Sequence, residues 1–227
     1  MSARTKAGRV AIGALSLGLL GTLVWAVLAL PRGPSELAGR AIRRLPESGV
    51  TNPVTAVLLN YRAYDTLLEL AVLLLAVAGV WALRRGDWPP GDLRGRPLVL
   101  SLLRFVLPVL MLTAGYLLWI GAFAPGGAFQ GGAMLGGAAV LVLLAGMAGG
   151  ARRHTGVLRA GLALGVLVFA GAAVAAAALT GEILRFPTGD AGLWILGIEA
   201  AALVSIGLTL GALYLGGRPG AEDDAGG

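Results

Sequence analysis

The sequence predicts an all-α, polytopic membrane protein of about six transmembrane helices, and three observations carry that expectation. Apolar residues make up 57% of the chain and charged residues only 13%. Mean hydropathy is +0.82. The charges fall in short clusters between windows of roughly 20 apolar residues, the length that crosses a bilayer. A soluble domain of 227 residues could not bury that much apolar surface.

The windows follow in order. The first, Val10 to Leu30, is preceded by Arg4, Lys6 and Arg9 like a signal peptide, but it is longer than the usual ~7 to 15 residue apolar region. It also ends in Leu30-Pro31 with no small-x-small cleavage site, so a retained helix is expected. The second runs from Tyr64 to Leu83, with a polar approach from Pro53. The stretch Arg84 to Arg96, rich in proline, glycine and charge, stops it and marks the best internal boundary. The third window is Leu98 to Phe123, the fourth Phe129 to Gly150, the fifth Val157 to Thr180 and the sixth Leu193 to Leu215. The expected organisation is a two-helix module over residues 1–90, a four-helix module over 97–216, and a tail over 217–227 too poor in apolar residues to pack.

Net charge is +6 and the pI is near 10.7. A nucleic-acid partner is excluded as the reason, because no basic helix or aromatic platform is present. The basic residues instead suit membrane headgroups. With both termini cytoplasmic, the inside holds Arg4, Lys6, Arg9, Arg84, Arg85, Arg94, Arg96, Arg104, Arg152, Arg153, Arg159 and Arg218, twelve of eighteen. The first external loop dissents, with Arg32, Arg40, Arg43 and Arg44 set against Glu36 and Glu47. There is no cysteine and one histidine, His154, which reads as a solvated loop residue. Neither a metal site nor a cofactor is implied. The 37 glycines read as a packing device, since helices in lipid associate by close backbone approach.

Few residues are placed to carry chemistry. Arg62, Asp65 and Glu69 are three and four apart, within about 60 degrees of one another on a helix. Glu69 lies roughly 7 to 8 Å inside its apolar window. A carboxylate at that depth is costly unless protonated, paired or wetted, and such residues mark proton or ion routes. Arg62 and Asp65 also fit a plainer reading, a salt bridge anchoring the helix at the headgroups. Glu199 is the second intramembrane acid, roughly 9 Å into the sixth window. It has no basic residue within a turn, so its partner must come from another helix or from water. It reads either as a proton carrier or as a neutral packing element. Glu182 reads as a boundary residue.

Between the third and fourth windows lies Pro125-Gly126-Gly127-Ala128-Phe129-Gln130-Gly131-Gly132. Proline and glycines permit a tight reversal, the glycine spacing makes small faces for close packing, and Gln130 brings a polar group to the start of the fourth span. Phosphate binding is disfavoured, because no strand precedes the turn and no Lys, Ser or Thr stands where a phosphate loop needs one.

That octapeptide, with Gly197-Ile198-Glu199, resembles the MnhB-like subunit of Mrp-type multisubunit sodium/proton antiporters, over roughly residues 98–216. The family usually shows a third glycine where Ala128 stands and a histidine where Phe123-Ala124 stand. The earlier Asn60-Tyr61-Arg62-Ala63-Tyr64-Asp65-Thr66-Leu67-Leu68-Glu69 is similar to the Asp-Phe-Arg-x-x-Asp-Thr-x-Gly-Glu pattern of a small helical module. In relatives that module is the carboxy-terminal part of the large antiporter subunit or a small subunit of membrane-bound hydrogenases. The two resemblances, in that order, imply a fusion of neighbouring subunits. They imply a multi-pass inner-membrane subunit, not an enzyme, working with other subunits of its complex to move Na+ and H+. A structural subunit of a related redox-coupled complex is the alternative. An independent exporter is disfavoured by the scarcity of polar residues to line a substrate cavity.

Overall fold

The structure is a computed structural model that describes residues 3–30, 36–83, 97–147, 155–187 and 189–216. His154, the stretch 84–96 and the tail 217–227 lie outside these residues. In chain order the helices are α1 (Ala3–Leu28), α2 (Glu36–Arg43), α3 (Pro53–Ala56), α4 (Ala63–Leu83), α5 (Pro97–Ile120), α6 (Ala128–Leu144), α7 (Thr155–Thr180) and α8 (Ala191–Gly216). A 3-10 turn spans Leu45–Glu47, and a π-helical segment, Val57–Tyr61, joins α3 to α4. Among the described residues there is no strand, and the protein is an all-α polytopic membrane protein. Four helices are long and apolar enough to cross a bilayer, with shorter apolar helices at Ile12–Leu28 and Ala128–Leu144. α1 stands in a unit of its own that ends at Gly39.

From Arg40 onward the chain forms one compact unit around α8. α8 carries apolar residues around its whole circumference and is the most buried of the membrane-length helices, with α6, α7, α4 and α5 packed against it, while Leu193 and Val204 stay exposed. The principal core joins Leu59 and Leu70 from before the predicted boundary to Phe169, Ile195, Ile198 and Leu203 from after it. Small residues set the distance between α6 and its neighbours. A methyl group at Gly131 would lie 2.8 Å from the Ala114 carbonyl of α5, and one at Gly132 would lie 2.7 Å from Ile206 of α8. That is closer than atoms can approach, so these helices meet backbone to side chain, as lipid-embedded helices do.

Two predicted elements differ in extent. The fourth apolar window reaches Gly150, but α6 ends at Leu144. Gly146 takes the left-handed conformation (φ 70°), its N–H donates to the Leu143 carbonyl, and the Met147 N–H donates to Val142. This paired closure ends a helix wherever glycine follows the cap, however apolar the sequence beyond. The second difference lies at the start of α4. Arg62 (φ −129°, ψ 34°) interrupts the helix between the π-helical segment and Ala63, so the approach from Pro53 is a separate, wider coil. The Thr66 hydroxyl donates to the Leu58 carbonyl at 2.7 Å, giving that coil a partner its own backbone does not supply.

Candidate functional site

The site begins with a proline. Asn52 precedes Pro53, and its Oδ1 accepts from the Val54 N–H at 3.1 Å, capping α3 in the manner that Asn before Pro favours. With its oxygen so engaged, the amide points its Nδ2 donors across the molecule. They reach the carbonyls of Gly121 (3.0 Å) and Ala124 (2.9 Å) and the Thr55 hydroxyl (3.1 Å). Thr55 itself donates to Gly121 at 2.6 Å, and the N–H groups of Thr51 and Asn52 both donate to Ala122. The last carbonyls of a helix have no partner within it, and here a segment about 70 residues away in sequence supplies the donors to those just past α5. Asn52 and Thr55 are each 5% exposed, so these bonds form out of reach of water.

Fixed at that end, the turn delivers α6. Gly126 and Gly127 follow, and the Gly127 N–H reaches back to the Leu117 carbonyl at 2.7 Å. Gly127 has φ 112°, a conformation that side chains rarely allow, and a methyl there would lie 2.7 Å from Glu199 Oε1. The Ala128 N–H, one of the four free donors that open α6, lies 3.4 Å from the same oxygen. Glu199, 7% exposed and carried on α8, therefore sits against the positive end of a helix, a favourable place for a carboxylate. This is the partner from another helix that its isolation on α8 required.

Glu69 reaches the same place from the other half of the chain. It lines a cavity of about 230 Å³ together with Glu199, Thr55, Thr66, Gln130, Phe129 and the backbone of Gly126 and Gly127, with Phe169 and Ile198 among its apolar walls. The two acids, 130 positions apart, thus face one space. Glu199 lies at its buried end, while Glu69 and Gln130 are exposed at its rim. Arg62 and Asp65 do not line it. They pair with each other on the surface, where both are well exposed, an arrangement worth about 0 to 1 kcal/mol at such sites. Pro125 is exposed in the turn, and Gly131 and Gly132 pack on α5 and α8 behind the cavity. Glu182 pairs with Arg185 at 2.8 Å beyond the end of α7. Among the described residues no cluster of three or more metal-ligating side chains occurs.

Sequence reasoning missed Asn52 and Thr55, and it placed Thr66 in a motif without giving it a role. The dipeptide Asn52-Pro53 is a legible helix-start signal, but the carbonyls its amide reaches lie 69 and 72 residues further on and leave no trace in local pattern.

Residues 98–215 match the family model described as a domain related to the MnhB subunit of Na+/H+ antiporter. A comparison with curated proteins gives no match. Among solved structures, the chain is similar to a chain of the membrane-bound sulfane sulfur reductase, an archaeal respiratory membrane complex, with a TM-score of 0.67 at 22% identity. That alignment covers 92% of this chain and 97% of that one and shows a shared fold. It is also similar to a chain of the Mrp complex from Dietzia sp. DQ12-45-1b, with a TM-score of 0.60 at 26% identity. There the alignment covers 96% of this chain but 27% of that one, so this chain spans about a quarter of its length. With more than half of its residues inside the family model, the chain belongs to the family of domains related to the MnhB subunit of Na+/H+ antiporters, as a multi-pass membrane subunit of a multisubunit complex.

Proposed function

We propose that Glu199 and Glu69 are the inner and outer stations of a short proton or cation route through this antiporter subunit. The observation that supports the reading is the one cavity both acids line, which Thr55, Thr66 and Gln130 also line. A space of about 230 Å³ with that many polar partners is large enough for several waters. Carboxylates at membrane depth joined by water are the usual elements of proton relays. The Ala128 N–H at the start of α6 faces the Glu199 carboxylate, and Phe169 and Ile198 form the apolar wall of the cavity beside it. In this role the chain acts as a transport subunit, as its membership of the MnhB-related family suggests.

We also read residues 1–90 and 97–216 as two neighbouring subunits joined in one chain. In support, the family model begins at residue 98, while both structural alignments extend far beyond its 98–215 range. The joint then places the cavity at the seam, with α4 on one side and α6 and α8 on the other.

The test uses the assembled complex in everted vesicles. Glu69→Gln and Glu199→Gln keep shape and hydrogen bonding but remove the charge cycle, so each should lower Na+-driven proton movement about 100-fold, the scale on which a proton-transfer group contributes. Glu69→Asp should retain part of the activity. Transport at the parent rate by both Gln variants, from neutral to alkaline pH, makes the acids structural.

A further inference from the structure

The cavity is not closed by the described residues of the unit that forms it. Glu199 and Phe169 at its deep end are buried, but Glu69, Gln130, Val54 and Leu58 at its rim are all exposed. The rim lies on an apolar helix. Glu69 is the seventh residue of α4, about 9 Å from the helix start, on a helix long and apolar enough to cross a membrane. Beside Glu69 on this helix, Leu68, Val72 and Leu75 are 62 to 68% exposed, and the stripe continues to Ala76 and Gly79, where an added methyl would meet nothing within 4 Å. Small residues within an apolar stripe are what a second membrane helix needs for close approach, whereas lipid tails need no such shape. Nor can lipid tails satisfy a carboxylate and an amide. The cation nearest in sequence, Arg62, is already paired with Asp65.

We infer that this face of α4 seats a transmembrane helix of another subunit, that the helix carries a basic side chain at the depth of Glu69, and that it forms the missing wall of the cavity. Its functional consequence rests on the proposed ion route, but the packing and charge argument does not. A carboxylate at membrane depth must be protonated, wetted or paired, and a charged Glu69 against a packed helix is paired when that helix offers it a positive group. Gln130, at the same rim, offers that helix a second hydrogen-bonding group.

The sequence contains no cysteine, so a single cysteine at Val72 in the purified complex is a unique attachment point on this chain for a photoactivatable benzophenone. The expected result is a cross-link to a helix of another subunit with Lys, Arg or His within one turn of the adduct. An adduct on lipid alone, or on a helix without such a residue, overturns the inference. A second arm tests charge. Glu69→Lys should prevent recovery of the complex where Glu69→Gln permits it, and exchanging the partner's basic residue for Glu should restore assembly of the Lys variant. Equal recovery of the Lys and Gln variants overturns the pairing. The two readings fail separately: a lipid adduct with an inactive Gln variant removes the docked helix and leaves the route, whereas a mapped helix with a fully active Gln variant does the reverse.

Discussion

The N–H of Ala128 lies 3.4 Å from Oε1 of Glu199, which places the one acid of α8 at the opening turn of α6. Removing the acceptor should cost more than removing the charge. Glu199→Gln keeps an oxygen for Ala128 and should assemble normally. Glu199→Leu leaves a buried donor unsatisfied and should destabilise the fold by about 1 to 3 kcal/mol. Thermal inactivation of the purified complex separates the two, and equal stability would show that the contact is incidental.

Gly127 should be the least replaceable residue of the turn. Its φ of 112° and the 2.7 Å that would separate an added methyl from Glu199 act together, one through the backbone and one through the carboxylate. Gly127→Ala should cost about 1 to 3 kcal/mol, the range for a side chain forced into such a conformation. It should also reduce transport, because the carboxylate must move. A stable and active Ala variant would mean that the turn adjusts freely.

Packing predicts a contrast within one helix. Gly131 and Gly132 face Leu203, Ala114 and Ile206, whereas a methyl added at Gly137 would have nothing within 4 Å. Ala at 131 or 132 should therefore lower recovery of the assembled complex, and Leu should abolish it, while Gly137→Ala should be neutral or slightly stabilising through helix propensity. Blue-native electrophoresis of these variants reads this directly.

Asn52 offers a test of donor chemistry. Ala in its place leaves the Gly121 and Ala124 carbonyls short of partners and should cost about 1 to 3 kcal/mol. Asn52→Asp keeps the size and the α3 cap, yet an ionised carboxylate has no donors and faces two carbonyl oxygens. Asp should thus be worse than Ala in melting experiments, the opposite of what size alone predicts.

Topology remains a sequence-based prediction: both termini cytoplasmic, from twelve of eighteen basic residues on that side. A periplasm-dependent reporter fused after Arg218 should stay inactive.

Membrane class, the all-α architecture and the apolar helices were legible because they follow from local composition: a run of about 20 apolar residues has few other stable places to go. Glu69 and Glu199 stood out for the same reason, since an acid in such a run is conspicuous on its own. Where helices end was less legible. α6 stops short of Gly150 because one left-handed glycine, Gly146, closes it, and composition does not distinguish which glycine of several will do so. Likewise, spacing does not show that Arg62 lies outside α4 and pairs with Asp65 at the surface, while Glu69, one turn further on, lines the cavity.

The sequence by itself determined what this protein is made of: apolar helices, two acids at depth and a glycine-rich reversal. Only the tertiary structure decided that these belong to one site. Asn52 grips the end of α5, the turn it holds aims α6 at Glu199, and α4 brings Glu69 to the same cavity. Hydrophobic burial sorts residues by type and is indifferent to partner, so it is encoded locally. Hydrogen bonds between groups about 70 residues apart depend on the direction in which each helix leaves its turn, which is settled only when all of them pack.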